Sequence, residues 1–429
     1  MTVNRGTVRA LNALTARWAH AAPAQEGTVF AAAGVWPLLG LLAEGADAAV
    51  RGELTRTLGL PPDRAGRAAR ALLAALDGMD GVTAATGLWT RAELPLRAAW
   101  SRQLPPHAHA PLSGDPAADA AALDRWARER TGGRIASMPV DLDPYVWLVL
   151  ASALVLRTRW ERPFDQVDLR PPAGPWQGQP LAGLSRSSRD LDEVCLARTS
   201  DGEVTAVTVR GDNGLDVQLL LGEAGLGPGQ VIGTGLGLLD AARTARTAKP
   251  GGALPGEPLL GEVRPGRALP VGSRGPGLSV TEQPSTSPDA RLDVTVPRFE
   301  VTAEHDLLTH ADLFGLTTAT DGGDRHFPGI SPDRLALRSA RQSATATFDE
   351  AGFEAAAVTA AGIAWMSGAD TPRHTAKVLT VTVDRPFAFL AVHRDTQLCL
   401  AAGWVTSAAG GPGPAAWTEA GNPPKPNPT

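Results

Sequence analysis

Residues 348–387 read FDEAGFEAAAVTAAGIAWMSGADTPRHTAKVLTVTVDRPF, and the rest of the chain is organised around them. The stretch begins and ends as a strand. Between those ends, Ala, Gly, Ser and Thr dominate, with too few large apolar side chains to anchor the segment in a core. A connection this long in a compact protein is usually either functional or disordered.

Composition narrows the choice. The chain has 429 residues, 43% hydrophobic and 20% charged, with a net charge of -5 and a pI near 5.9. That length allows two or three average domains or one large one. An acidic balance gives no field for nucleic acid, and no Lys/Arg cluster reads as a membrane patch. Lysine is confined to Lys249, Lys377 and Lys425, so the basic side is nearly all Arg, a compositional bias. Cys195 and Cys399 lack CxxC spacing and are too few for a disulfide framework. Buried reduced thiols are expected, with one bridge between them as the alternative. The N-terminal MTVNRGTVRALNALTARWAH lacks a continuous apolar core, and no apolar run reaches about 18 residues. A soluble, cytoplasmic protein is therefore expected, with export by another route left open; a monomer is expected as well, though nothing in these residues speaks to oligomeric state.

Along the chain, Val8, Leu11, Leu14 and Trp18 share one face of a first helix. TVFAAAGVWPLLGLLAEG reads as a short strand entering an apolar helix, followed by an amphipathic helix through Leu54 and Leu58. Strand character returns at Thr83 to Thr90, and Ala98 to Leu104 reads as a short helix. Ala120 to Ile135 is an amphipathic helix closed by Gly132-Gly133. Tyr145 to Leu156 is apolar on both faces, as a central covered strand should be. Gly211-Asp212-Asn213-Gly214 between two apolar strands predicts a hairpin. From Pro250 to Pro288, 16 of 39 residues are Pro or Gly, which reads as a disordered insertion. Asp306 is placed to cap a helix carrying Leu307, Leu308, Ala311 and Phe314, closed by Gly315. Leu335 to Phe348, Val378 to Val383, Phe387 to Val392 and Gln397 to Val405 read as strands, and residues 408–429 as a disordered Pro/Gly-rich tail. Helices early and strands late predict an α+β protein with large sheets.

Several local sequences, in order, resemble the serpins, the family of serine protease inhibitors and their non-inhibitory relatives. Arg159 to Phe164 (RWERPF) is similar to the signature after the family's third central strand, and Leu292 to Phe299 (LDVTVPRF) to a later strand. Phe327 to Ser331 (FPGIS), Asp349 to Ala357 (DEAGFEAAA) and Asp384 to Leu390 (DRPFAFL) resemble the family's F-S-G-I-S run, its reactive-loop hinge and its C-terminal signature. The matches run from about Val8 to Val405. They imply one domain over 1–407, with three β-sheets, eight to nine helices and an exposed reactive loop. The family mechanism they imply is a trap: a protease cuts the loop, the freed segment enters the central sheet as an added strand, and the acyl-enzyme is distorted. The inhibitor itself supplies no catalytic group.

On that resemblance Glu350, Gly352, Phe353, Ala355, Ala356, Ala357 and Thr359 form the hinge, with Ala355, Ala357 and Thr359 on the inward face. Inhibitory relatives carry Thr or Ser where this chain has Phe353. An aromatic forced into a space shaped for a small side chain typically costs about 1 to 3 kcal/mol. Ala31, Gly34, Ser152 and Gln342 stand where the family has a polar cluster beneath the strands. Glu350 and Arg298 match a family ion pair at the top of the sheet, beside Trp160. Counting Glu350 as the first residue, the seventeenth is Met366, so Met366-Ser367 is the favoured reactive bond. The 35 residues between Glu350 and Pro386 are more than the family usually has, which leaves Arg373-His374 as the alternative. The expected partner is a serine-type protease, the alternative function a non-inhibitory binding or chaperone-like module.

An enzyme finds little support. No GxSxG, GxxxxGK[ST], HExxH or EF-hand pattern occurs. His305 and His310 are five apart and share no helical face, and His107 and His109 alternate in a Pro-rich segment expected to be exposed loop. The eleven tryptophans are expected to serve core packing, and no metal or cofactor is implied.

Overall fold

The computed structural model describes residues 3–105, 107–140, 142–143, 145–245, 260–353 and 373–408. Helix α1 (Arg5–Ala21) starts where the Asn4 side chain accepts from Gly6 N, and it buries Val8, Leu11, Leu14 and Trp18. β1 (Thr28–Phe30) leads into α2 (Ala32–Gly45), buried on nearly every side, so its sequence shows no polar stripe. α3 (Ala48–Leu58) is N-capped by Asp47 and closed by Gly59 at φ 63°. The sequence reading assigns nothing to α4 (Pro62–Asp77), although its buried face of Ala65, Ala69, Leu72, Leu73 and Leu76 lies opposite Arg64, Arg67 and Arg70. Next come β2 (Val82–Arg91), the single turn α5 (Ala98–Ser101), and β3 (His109–Leu112). α6 (Pro116–Arg130) is capped by the Asp115 carboxylate, which accepts from the Ala117 and Ala118 amides. β4 (Leu148–Leu156) is buried at every residue, and β5 (Thr158–Arg159) prolongs it past Arg157.

The second half is mostly strand: β6 (Asp165–Leu169), β7 (Leu181–Ser188), β8 (Val194–Thr199), β9 (Glu203–Arg210) and β10 (Leu215–Gly222). After α7 (Pro228–Ala245) come β11 (Leu260–Pro265), β12 (Arg274–Gly275), β13 (Leu278–Ser285), β14 (Arg291–Pro297) and β15 (Phe299–Asp306). α8 (Ala311–Phe314) is entered through a 3₁₀ turn capped by Asp306 and ends at Gly315. The last strands are β16 (Ser339–Phe348), β17 (Gly352–Phe353), β18 (His374–Thr382), β19 (Phe387–His393) and β20 (Leu398–Val405). One sheet runs β1-β20-β19-β10-β9-β8-β11 and a second β12-β13-β18-β14-β7-β6. The central sheet runs β3-β2-β4-β16, with β15 on the far side of β16 and the β17-β5 pair at its top.

The expected α+β architecture with three sheets is present, and eight α-helices lie among the described residues. One expectation fails. The segment Pro250 to Pro288 is not a disordered insertion throughout: β11 pairs with β8 and β13 with β18, so Leu260 to Ser285 belongs to two sheets. Its Pro and Gly residues serve turns, such as Gly272 and Gly277 at positive φ, and Pro284 sits on a strand. Residues 246–259 and the tail from 409 lie outside the described residues. The hairpin at Gly211 to Gly214 forms, but only Gly214 takes positive φ; Asn213 instead donates its side-chain amide to the carbonyls of Asp80 and Arg157. Both cysteines are free, and burial pushes the Cys195 thiol up to about 11. Among the described residues no helix is long and apolar enough to cross a membrane, and no three His, Cys, Asp or Glu side chains converge on a metal position.

Candidate functional site at the loop hinge

β4 and β16 run parallel and pair from Val149↔Ser339 to Leu154↔Ala344. Above that point they part, and β17 fills the gap, antiparallel to β16 at Phe348↔Phe353 and to β5 at Phe353↔Thr158. A tight reversal at Asp349 to Gly352 makes this possible. The Asp349 carboxylate accepts from the Ala351 and Gly352 amides, each at 2.9 Å, and Asp349 N donates to Gly352 O at 3.0 Å. A Cβ on Gly352 would stand 2.2 Å from Thr158 O, so only glycine lets the two backbones meet there.

Phe353 is 3% exposed and meets Phe389 edge-on at 5.7 Å. The expectation of an overpacked hinge does not hold, because an aromatic cluster is built to receive it. Phe299 stacks on Phe348 at 5.3 Å and approaches Phe389 at 5.3 Å, and Trp160 lies 4.8 Å from Phe348. Trp160 also fastens the reversal: its indole N–H donates to Asp349 O at 2.9 Å and its amide to Ala351 O at 3.0 Å. Phe164 N donates to Glu350 O at 2.9 Å. Beneath Phe164 sits the Arg186 guanidinium, 4.7 Å from the ring and paired with Glu193, which Arg162 also engages. Burial pushes the Arg186 pKa down. The RWERPF motif pointed to Trp160 and Arg162, but nothing in the sequence marked their distant supports Arg186 and Glu193.

The expected ion pair is absent among the described residues. Glu350 Oε2 is buried without a hydrogen-bond partner, while the Arg298 amide donates to Ala182 O at 2.7 Å. Glu350, Gly352, Phe353 and Trp160 are thus brought together, and Arg298 contributes no bond to Glu350. Arg373 and His374 are exposed but not free: Arg373 N donates to Ser285 O at 3.1 Å, and His374 opens β18 opposite Ser285. Ala355, Ala356, Ala357, Thr359, Met366 and Ser367 lie outside the described residues.

Lower in the sheet, Ala31, Gly34, Ser152 and Gln342 do meet. Gln342 is fully buried; its Oε1 accepts from Ala31 N at 2.8 Å, and its Nε2 donates to Ala31 O at 2.9 Å and reaches Ser152 Oγ at 3.4 Å. A Cβ on Gly34 would lie 2.2 Å from Ser152 Oγ. A single glutamine therefore ties the β4/β16 pair to the start of α2, and all of its side-chain polar atoms are satisfied.

A family model described as Serpin (serine protease inhibitor) matches residues 9–172 and 278–408. The chain belongs to the serpin family. Serpin B6 of Pongo abelii and of Macaca fascicularis are each 23% identical, over 293 and 291 residues. Each alignment covers 66% of this chain and 64% of the relative. Among solved structures, the native thermophilic serpin tengpin superposes with a TM-score of 0.69 at 14% identity, covering 95% of both chains. Native protease nexin-1 with heparin gives 0.66 at 17% identity, covering 94% of this chain and all of that one. Uncleaved ovalbumin gives 0.64 at 15%, covering 95% of this chain and all of that one. These likenesses establish the serpin fold.

Proposed function

We propose that this serpin is a suicide-substrate inhibitor of a serine-type or subtilisin-like protease, with the chain between β17 and β18 as bait and Met366-Ser367 as the bond attacked; the loop expected over residues 350–380 is shorter than that, because His374–Thr382 is paired as β18. The seating of Phe353 carries the reading. The hinge has already entered the top of the sheet as the first residues of an added strand, so extension needs no aromatic to be forced in later. Continuing the register of β17 downward sets Ala355 beside Ala346, Ala357 beside Ala344, and Thr359 between Gln342 and Ser152. Small side chains would then meet the close-packed interior, and the hydroxyl would meet the polar cluster. In the proposed reaction the protease serine attacks the Met366 carbonyl and the Ser367 amine leaves. The resulting ester is carried away with the inserting strand before water hydrolyses it. The hydrogen bond from Arg373 N to Ser285 O supports Met366, since attack at Arg373 would first require lifting the start of β18.

A second reading, a non-inhibitory binding or chaperone-like module, is favoured by Gln342. Opening the sheet has to break its bonds to Ala31 and Ser152. Incubation with elastase-, subtilisin- and trypsin-like proteases, followed by denaturing gels and mass analysis of the released fragment, separates the two. A covalent complex with a fragment beginning at Ser367 is expected. Clean cleavage with the protease still active would rule out trapping.

A further inference from the structure

The edge of the central sheet is only partly covered. β3 pairs with β2 from Leu88↔His109 to Arg91↔Leu112, and below Leu88 the β2 edge has no strand partner among the described residues. There a cleft of about 260 Å³ opens between β2 and the end of α6. Its walls are Trp89 and Trp126, set edge to face with centroids 5.8 Å apart. Its floor is Gly87: a Cβ there would lie 3.1 Å from both Trp126 Cζ2 and Trp89 Nε1. A glycine inside the strand lets both indoles pack directly on its backbone, which sets the wall they present to the cleft.

Four of the polar groups lining this space make no bond within the fold. Among the described residues, neither indole N–H, nor the Arg130 guanidinium, nor the His107 ring has a hydrogen-bond or ion-pair partner. His109 differs: its Nε2 lies 2.8 Å from Thr90 Oγ1, and burial pushes its pKa down. Glu129 stands exposed at the rim, where water and salt screen it, whereas Arg130 is half-buried. We propose that the cleft binds a small planar aromatic carboxylate, its ring against Trp126 and Trp89 and its carboxylate on Arg130. Guanidinium suits a planar carboxylate bidentately, and the volume lies just below the usual range for drug-sized ligands, suiting a bicyclic acid rather than a peptide.

The test is calorimetric titration of the full-length protein with 1-naphthylacetate, alongside its neutral amide, 1-naphthylacetamide. The acid is expected to bind at least about tenfold tighter than the amide, the scale of one charge-assisted contact. Arg130→Gln should erase that preference, and Gly87→Ala should weaken both ligands by at least about tenfold. Equal affinity for acid and amide, retention of the preference in Arg130→Gln, or no binding at all overturns the assignment. Arg130 is half-buried and makes no hydrogen bond or ion pair among the described residues, so its variant should unfold close to the wild-type temperature, and that is checked first. Neither arm depends on whether the loop traps a protease.

Discussion

Replacing Phe353 with Ala should unlock the hinge. Phe353 is 3% exposed, and burying a phenylalanine side chain contributes about 1.5 to 3 kcal/mol, with about 0.5 to 1.5 more for an aromatic pair such as Phe353 with Phe389. β17 is only two residues long and, apart from this seat, is held by the backbone bonds of the Asp349 to Gly352 reversal and by Trp160, so the loss should appear as easier local opening. Taking about 2 to 3 kcal/mol, at roughly 1.4 kcal/mol per factor of ten, the open fraction rises about 30- to 150-fold. The Glu350-Ala351 bond reports this directly, because both of its flanking carbonyls are held, Glu350 O by Phe164 N and Ala351 O by Trp160 N. A glutamate-specific protease reaches that bond only through the opened hinge, and its rate follows the open population when reclosing is fast. Mass analysis separates this cut from one after Glu354. The expected order is Phe353→Ala fastest, Phe353→Leu intermediate, wild type slowest. Equal rates for wild type and Phe353→Ala would show that the aromatic seat does not anchor the hinge.

Three further outcomes follow from the packing. Gly34→Ala should destabilise by about 1 to 3 kcal/mol through its clash with Ser152 Oγ, and Ser152→Ala should relieve it, since Ser152 Cβ lies an ordinary 3.5 Å away; additive losses in urea midpoints would contradict this. Thr359→Val keeps the bulk but removes the hydroxyl proposed to meet Gln342 and Ser152 on insertion. The rise in melting temperature after loop cleavage should shrink by the equivalent of about 1 to 3 kcal/mol, and an unchanged rise refutes the register. Burial holds His305 below its ordinary value of 6.5, with its Nε2 2.9 Å from Val29 O. As pH falls below 6.5 the unfolded chain therefore takes up the proton first, and stability contributed by the neutral ring is lost. His109 and His393 shift the same way. His305→Gln should flatten the decline in urea midpoint between about pH 6.5 and 5 without abolishing it, and an unchanged slope assigns the decline elsewhere.

The sequence showed much of the fold because long elements repeat their pattern. Val8, Leu11, Leu14 and Trp18 declare α1, and the doubly apolar β4 could only lie in a covered sheet. Helix α4 was legible, since Arg64, Arg67 and Arg70 lie opposite its Ala/Leu face, whereas β11 to β13 are hidden because Pro and Gly, common in disorder, here serve sheet turns. At the hinge, residue types were legible but distances were not. Phe353 looked like an obstacle because the sequence does not show that Phe389 meets it from a later strand, with Phe299 packed behind Phe389 from an earlier one. The role of Gln342 is hidden in the sequence because two of its three bonds run to the Ala31 backbone, which carries no side-chain code. Trp89 and Trp126, two apparently scattered tryptophans, meet only because β2 and α6 cross.

The two-residue β17 also acts as the zero mark of a gauge. With Phe353 fixed opposite Phe348, Gly362 would come level with Ser339, the first residue of β16, and Met366 would fall four residues beyond it. At ~3.3 Å per residue, the span from Phe353 to Met366 is about 43 Å, enough to park a tethered protease just past the far end of the sheet. A cut after Arg373 would pay out seven more residues, roughly 23 Å of slack with no β16 residue to grip it. If the proposed trap operates, the length of chain between Phe353 and the cut bond sets how tightly the captive is drawn in. Lengthening that segment should loosen the hold without touching a single contact in the folded body.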